Sequence, residues 1–135
     1  MSEAAHLEAA RALYAAFRQG DIPQVIEGLA DDVSIGFFDT RLPYGGIRHG
    51  HDGAVTFFTD LYAQVEYQDF DPYSFLADNE TVVVMIGSKG LAKLTQRAFE
   101  QTDEVHVLSF RGGQICKARF HQDVGAMLSA FATAY

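Results

Sequence analysis

The chain reads as an α+β fold: a curved antiparallel sheet wrapped by three to four helices, forming a cone with an apolar pocket, in one domain over 1–135. Three observations predict it. Helical patterns dominate the first half, strand patterns joined by tight turns fill the second, and 11 Phe with 6 Tyr are more aromatic material than a plain two-layer core requires. The order helix, helix, strand, helix and then successive strands lacks the alternation of βαβ units, so neighbouring strands should run antiparallel with helices on one face.

Each element has a local cause. From Ala4 to Gln19 the residues Leu7, Ala10, Leu13, Tyr14 and Phe17 recur at steps of three and four, and Gly20 supplies a left-handed stop. Asp21 caps a short second helix carrying Val25, Ile26 and Leu29 to about Ala30, with Gln24 completing a capping-box-like pair and Asp31-Asp32 as the turn after it. Val33 to Asp39 reads as a strand. The stretch RLPYGGIRHGHDG that follows, with one Pro and several Gly, reads as a loop long enough to suggest function. Asp52 caps a third helix to about Tyr67 with the inward stripe Val55, Phe58, Leu61, Tyr62 and Val65. Strands then run over 70–77, 81–91, 95–110 and 115–122, with turns at Asp78-Asn79-Glu80 and at Arg111-Gly112-Gly113. Asp123 caps a closing helix with the stripe Val124, Met127, Leu128 and Phe131.

Composition narrows the function. Of 135 residues, 10 are Lys or Arg and 18 Asp or Glu, a net charge of −8, and the basic residues are dispersed, which argues against nucleic acid and against anionic lipid. No aliphatic run approaches spanning length and no leader pattern opens the chain, so the expectation is a cytoplasmic protein with no membrane partner. Cys116 stands alone, and the five histidines lack metal-ligand spacing, so no metal site is expected. Arg48, His49 and His51 read as a solvated loop or an anion contact near a helix start.

The segments ALYAAFRQGDIPQVIEGLADDVSI, LPYGGIRHGHDGAVTFFTDL, FLADNETVVVMIGSKG and EVHVLSFRGGQICKARFHQD together resemble the SnoaL-like and ketosteroid isomerase-like branch of the nuclear transport factor 2-like superfamily. The resemblance covers nearly the whole chain. It implies a cone-shaped apolar pocket, no cofactor, and a homodimer through the outer sheet face, on a fold that hosts isomerases, cyclases, dehydratases, epoxide hydrolases, binding proteins and transport adaptors. Ketosteroid isomerases use a Tyr on the first helix, an Asp base on the first strand and an acid on the penultimate strand. The matching positions here hold Leu13 (beside Tyr14), Phe37 and His106, so ketosteroid isomerisation itself is not expected. Polyketide-cyclase relatives carry an acid near the end of the last strand, where Asp123 fits that role and a helix cap equally.

Parity of the last hairpin decides which side chains share the pocket face. A two-residue Gly112-Gly113 turn sets His106 opposite Arg119, whereas a three-residue Arg111-Gly112-Gly113 loop sets it opposite Ala118. The three-residue loop is preferred, because it unites His106 with Leu108, Phe110, Cys116, Ala118 and Phe120 and sends Lys117, Arg119 and His121 outward with Val105 and Val107. Glu104, roughly 7 Å along the same strand face, is then the candidate partner of an imidazole in an apolar cavity. The candidate catalytic residues are His106, with Glu104 as shuttle partner, and secondly Asp39 at the pocket mouth. The candidate substrate-binding residues are Tyr14, Phe37, Phe58, Tyr62, Met85, Glu104, Leu108, Ala118 and Phe120, with Tyr14 or Tyr62 as oxyanion donors. The expected function is cofactor-independent acid/base chemistry on a small apolar carbonyl or cyclic compound. A non-catalytic binder of an apolar ligand and a dimeric interaction adaptor are the alternatives.

Overall fold

The computed structural model describes residues 2–133, in which four helices pack on a curved, open sheet of six strands. The elements are α1 (Glu3–Arg18), α2 (Ile22–Glu27), β1 (Leu29–Gly36), β2 (Arg48–His49), α3 (Gly50–Gln64), β3 (Val65–Asp78), β4 (Thr81–Ala92), β5 (Arg97–Arg111), β6 (Gln114–His121) and α4 (Val124–Phe131). The sheet order is β2-β1-β6-β5-β4-β3. Four of the five pairings are antiparallel, as expected, while β1 lies parallel to β6. That pair is not consecutive in sequence, so no hairpin constrains its direction.

Two of the three expected caps, Asp21 and Asp123, are in place, whereas Asp52 lies within α3, whose N-cap is His49 without a side-chain cap bond. Ser2, Asp21 and Asp123 each accept from a backbone N–H in the first turn of their helices, and Gly20 takes a φ of +72° after α1. Several boundaries differ from expectation, β1 running Leu29–Gly36 and the expected loop holding the short strand β2. The second helix stops at Glu27, and Asp31-Asp32 lies within β1, where Asp32 pairs with Arg111. The third helix ends at Gln64, so Tyr67 belongs to β3, and the buried stripe of α3 is Ala54, Phe57, Phe58 and Leu61 while Val55 is exposed. A periodicity shared by neighbouring apolar positions left that phase open by one residue.

The last hairpin corrects the expected register. Arg111 pairs with Gln114 across a two-residue Gly112-Gly113 turn, and a bulge then places Phe110 opposite Ile115, Ser109 opposite Lys117 and His106 opposite Phe120. The extra residue restores the parity that the three-residue loop would have given, so His106, Leu108, Phe110, Ala118 and Phe120 still share a face. Ile115 replaces Cys116 in the core, and the Cys116 thiol bonds the Ser109 carbonyl instead.

Bulges re-aim two further strands. In β3 the register shifts between Tyr67 and Asp69, which brings Phe70 onto the inward face beside Tyr67. In β5 it shifts between the partners of Ile86 and Ser88, so that Phe99 and Gln101 and then Glu104 and His106 are all buried.

Candidate functional site

Beneath α1 and α3 the sheet encloses a cavity of about 40 Å³. Its wall is made by Leu13, Tyr14 and Phe17 of α1, Phe57, Phe58 and Leu61 of α3, and Phe37, Tyr67, Phe70, Glu104, His106 and Phe120 from the sheet and the loop after β1. Eight of these are Phe or Tyr. Phe17, Tyr67 and Phe70 also line an outer groove, with Arg18, Tyr62, Glu66 and Lys93 along it, so cavity and groove share three rings.

Within this wall three polar side chains form one chain. His106 Nε2 lies 2.5 Å from Glu104 Oε2, and His106 Nδ1 lies 2.6 Å from the Tyr14 hydroxyl. All three are buried, at 4% exposure for Tyr14, 2% for Glu104 and 5% for His106. A carboxylate only accepts, so Nε2 carries the proton toward Glu104 and Nδ1 accepts from Tyr14 Oη–H. Burial, and secondly the Glu104 charge, raise the Tyr14 hydroxyl well above the usual tyrosine value, which keeps it the donor. The imidazole is held on its sides as well, with ring centroids 4.3 Å from Phe120 and 5.7 Å from Tyr14. Such an arrangement can pass a proton between an atom beside Tyr14 and the imidazole while the carboxylate balances the charge.

The structure brings Tyr14, Phe37, Phe58, Glu104, His106 and Phe120 together on this cavity. Leu108 and Ala118 are buried in the core behind it, absent from its lining. Tyr62 donates to the Phe17 carbonyl and stacks on the Phe17 ring, in the outer groove. Met85 is placed elsewhere: β4 alternates, with Val82, Val84 and Ile86 buried, and Met85 therefore stands on the outer face opposite Val105. Asp39 too lies off the cavity, where its carboxylate is gripped by the Arg41 backbone N–H and guanidinium. Those bonds, rather than any substrate, hold the carboxyl at about 2.

The loop cations scatter. Arg48 pairs with Asp60 at 2.9 Å, His51 Nε2 lies 2.9 Å from the Leu29 carbonyl, and His49 is exposed at the start of α3. Asp123 serves as a helix cap. Among the described residues no group of three or more His, Cys, Asp or Glu could hold a metal ion. No helix among them is long and apolar enough to cross a membrane.

Leu13, Phe17, Phe57, Leu61, Tyr67 and Phe70 are wall residues beyond the expected set. Leu13 and Phe17 already stood on the apolar stripe of α1. Leu61 likewise stood on the expected stripe of α3, Phe57 needed the phase of that helix, and Tyr67 and Phe70 needed the bulge in β3.

Comparison with known proteins agrees with this fold. Residues 10–118 match the SnoaL-like domain, and the chain belongs to that family. A protein of unknown function from Burkholderia pseudomallei K96243, described as nuclear transport factor 2-like, is 29% identical, with 98% of this chain and 100% of that one covered and a TM-score of 0.87. TerC, co-crystallised with polyporic acid, shares the fold at 23% identity, 96% and 99% coverage and a TM-score of 0.84. A hypothetical protein of ketosteroid isomerase-like fold from Catenulispora acidiphila DSM 44928, in complex with trimethylamine, shares it at 15% identity, 91% and 91% coverage and a TM-score of 0.76. No curated protein matches the chain.

Proposed function

We propose that the protein is a cofactor-independent enzyme of the isomerase, cyclase or dehydratase type, moving a proton on a small, largely apolar carbonyl or cyclic compound. The observation that carries this reading is the buried chain Tyr14, His106, Glu104 set in an aromatic wall. A carbon acid beside Tyr14 gives its proton to the Tyr14 oxygen as the phenol's own proton passes to His106 Nδ1, and the C–H electron pair moves into the substrate carbonyl as an enolate. The imidazolium formed is balanced by Glu104. Reprotonation at another carbon runs the same chain backward, in the division of labour of a serine-histidine-carboxylate triad with a phenol at its head.

A cavity of about 40 Å³ holds about three waters. A ring-sized substrate therefore needs room beyond it, and the outer groove that shares Phe17, Tyr67 and Phe70 with the cavity supplies that room. That TerC was crystallised with a small molecule supports a ligand-taking cavity in this fold. The test is a thermal-shift screen of ketones, lactones, phenols and polyketide fragments, followed by turnover assays of compounds that stabilise the protein. His106→Gln should cut turnover about 100-fold or more. Turnover at the wild-type rate in that variant overturns the reading.

A second reading, a binding protein without turnover, is favoured by Leu13 and Phe37, which place apolar side chains on the cavity at the positions that match the isomerase Tyr and Asp. Compounds that stabilise wild type and His106→Gln equally and are never converted would select it.

We also propose that two copies pair through the outer sheet face. Val83, Met85, Val105 and Val107 are half-buried there, and Leu76 is 61% exposed at its margin. Sedimentation should give a dimer mass that Val107→Glu abolishes; a monomer at micromolar concentration overturns it.

A further inference from the structure

Proton transfer next to a carbonyl needs a second group, one that donates to the oxygen on which charge accumulates. The polar side chains on the cavity are Tyr14, Tyr67, Glu104 and His106. Tyr14 gives its proton to His106 Nδ1, His106 gives its own to Glu104, and Glu104 is an acceptor. Tyr67 is left. The hydroxyls of Tyr14, Tyr44, Tyr62 and Tyr73 all take part in hydrogen bonds, whereas that of Tyr67 makes none among the described residues.

We propose that Tyr67, which lines both the cavity and the outer groove, is the substrate-binding donor of this site: its hydroxyl hydrogen bonds the carbonyl oxygen of a neutral aryl or alkyl ketone while the Tyr14 chain handles the proton. The proposal rests on the acid/base reading above. Its position is built rather than incidental. The bulge after Tyr67 sets it beside Phe70 on the inward face, and its ring meets Phe70, Phe99 and Phe17 edge to face at 5.3, 6.0 and 6.1 Å. Those edges fix the ring plane and so the direction of the hydroxyl. Gly90, opposite Tyr67 in the ladder, completes the mount, because a Cβ there would stand 2.1 Å from the Glu66 carbonyl and 3.0 Å from the Phe99 ring. Burial and the Glu104 charge raise the Tyr67 hydroxyl well above the usual tyrosine value, so it stays a donor throughout the neutral range. The same negative charge disfavours anionic ligands and selects neutral carbonyls.

The experiment uses acetophenone labelled with carbon-13 at the carbonyl. Bound to the whole protein, its carbonyl resonance should move downfield. Tyr67→Phe, which removes one oxygen and keeps the ring, should abolish that displacement and weaken binding about fivefold. Tyr14→Phe should keep it. Exchange of the acetophenone methyl protons in deuterated water, read in the same samples, tests the acid/base reading separately through its loss in His106→Gln. A Tyr67-dependent carbonyl shift without exchange upholds the donor and removes the enzyme. A shift that survives Tyr67→Phe, or that is lost in Tyr14→Phe alone, overturns the proposal, as does failure of millimolar acetophenone to bind the wild-type protein.

Discussion

Two regions of this molecule carry histidines and acids, and they use them in opposite ways. On the cavity wall, Glu104 and His106 lie two apart on a strand whose alternation turns both inward, and the apolar surroundings oblige them to bond each other and Tyr14. In the loop from Asp39 to His51 the same residue types sit near water, and each finds a separate structural partner: Asp39 takes Arg41, Arg48 takes Asp60, and His51 takes the Leu29 carbonyl. Strand parity and burial, more than the presence of titratable residues, make the first a candidate site and leave the second as a scaffold.

The largest expected effect breaks the comparison at the wall. His106→Leu leaves the Glu104 carboxylate buried without its partner, and removal of one member of a buried pair costs about 3–5 kcal/mol. His51→Leu forfeits one part-buried hydrogen bond, worth about 1 kcal/mol. Denaturant unfolding of both variants checks the ratio. Glu104→Leu combined with His106→Leu should be more stable than His106→Leu alone, since the unpaired charge is gone; a double variant no more stable than the single one would show that Glu104 is solvated there.

The loop has its own point of greatest sensitivity. A Cβ on Gly45 would stand 2.0 Å from the Asp39 carbonyl, against backbone that cannot step aside like a side chain. Gly45→Ala should therefore cost about 1–3 kcal/mol in the same assay. Its effect should fall on stability while His106 chemistry survives in whatever folds. Tyr14→Phe sharpens the comparison from the other side: it strips His106 Nδ1 of its donor inside the core, at a cost of about 1–3 kcal/mol, and it should remove activity as well.

How much of this was legible in the sequence follows from what each step needed. The fold class, the Asp21 and Asp123 caps and the last strands came from periodicity and cap residues, which act locally, while Asp52, read as a cap, lies inside α3. His106 and its partner Glu104 were readable because parity along one strand is a local rule, and because the wrong loop length and the unseen bulge in β6 cancelled in parity. Tyr67 and Phe70 were not readable as wall residues, since the bulge between them is set by pairing with β4, a contact across the sheet. Met85 failed for the reverse reason: in the unbroken apolar run from Val82 to Ile86, apolar alternation says little about which face is inner. The Tyr14 bond to His106 joins residues 92 apart in sequence and required the fold itself.

The smallest effect is expected at Asp39, and its direction separates scaffold from site. Hydrogen bonds from the Arg41 side chain and backbone lower its carboxyl from the ordinary 3.8 to about 2. A carboxyl depressed on folding favours the folded chain at every pH above its unfolded value, and that contribution fades as pH falls through about 2. Between pH 5 and 8 the residue is fully ionised and constant, so it cannot shape a pH profile there. Asp39→Asn should leave turnover and its neutral pH dependence unchanged, with only a marginal change in melting temperature at neutral pH. Arg41→Ala should return the Asp39 carboxyl toward 3.8 in a carbon-13 titration. Were Asp39→Asn instead to abolish turnover while the protein stayed folded, the mouth of the cavity would have to include the loop, and the division between a reactive wall and a structural loop would fall.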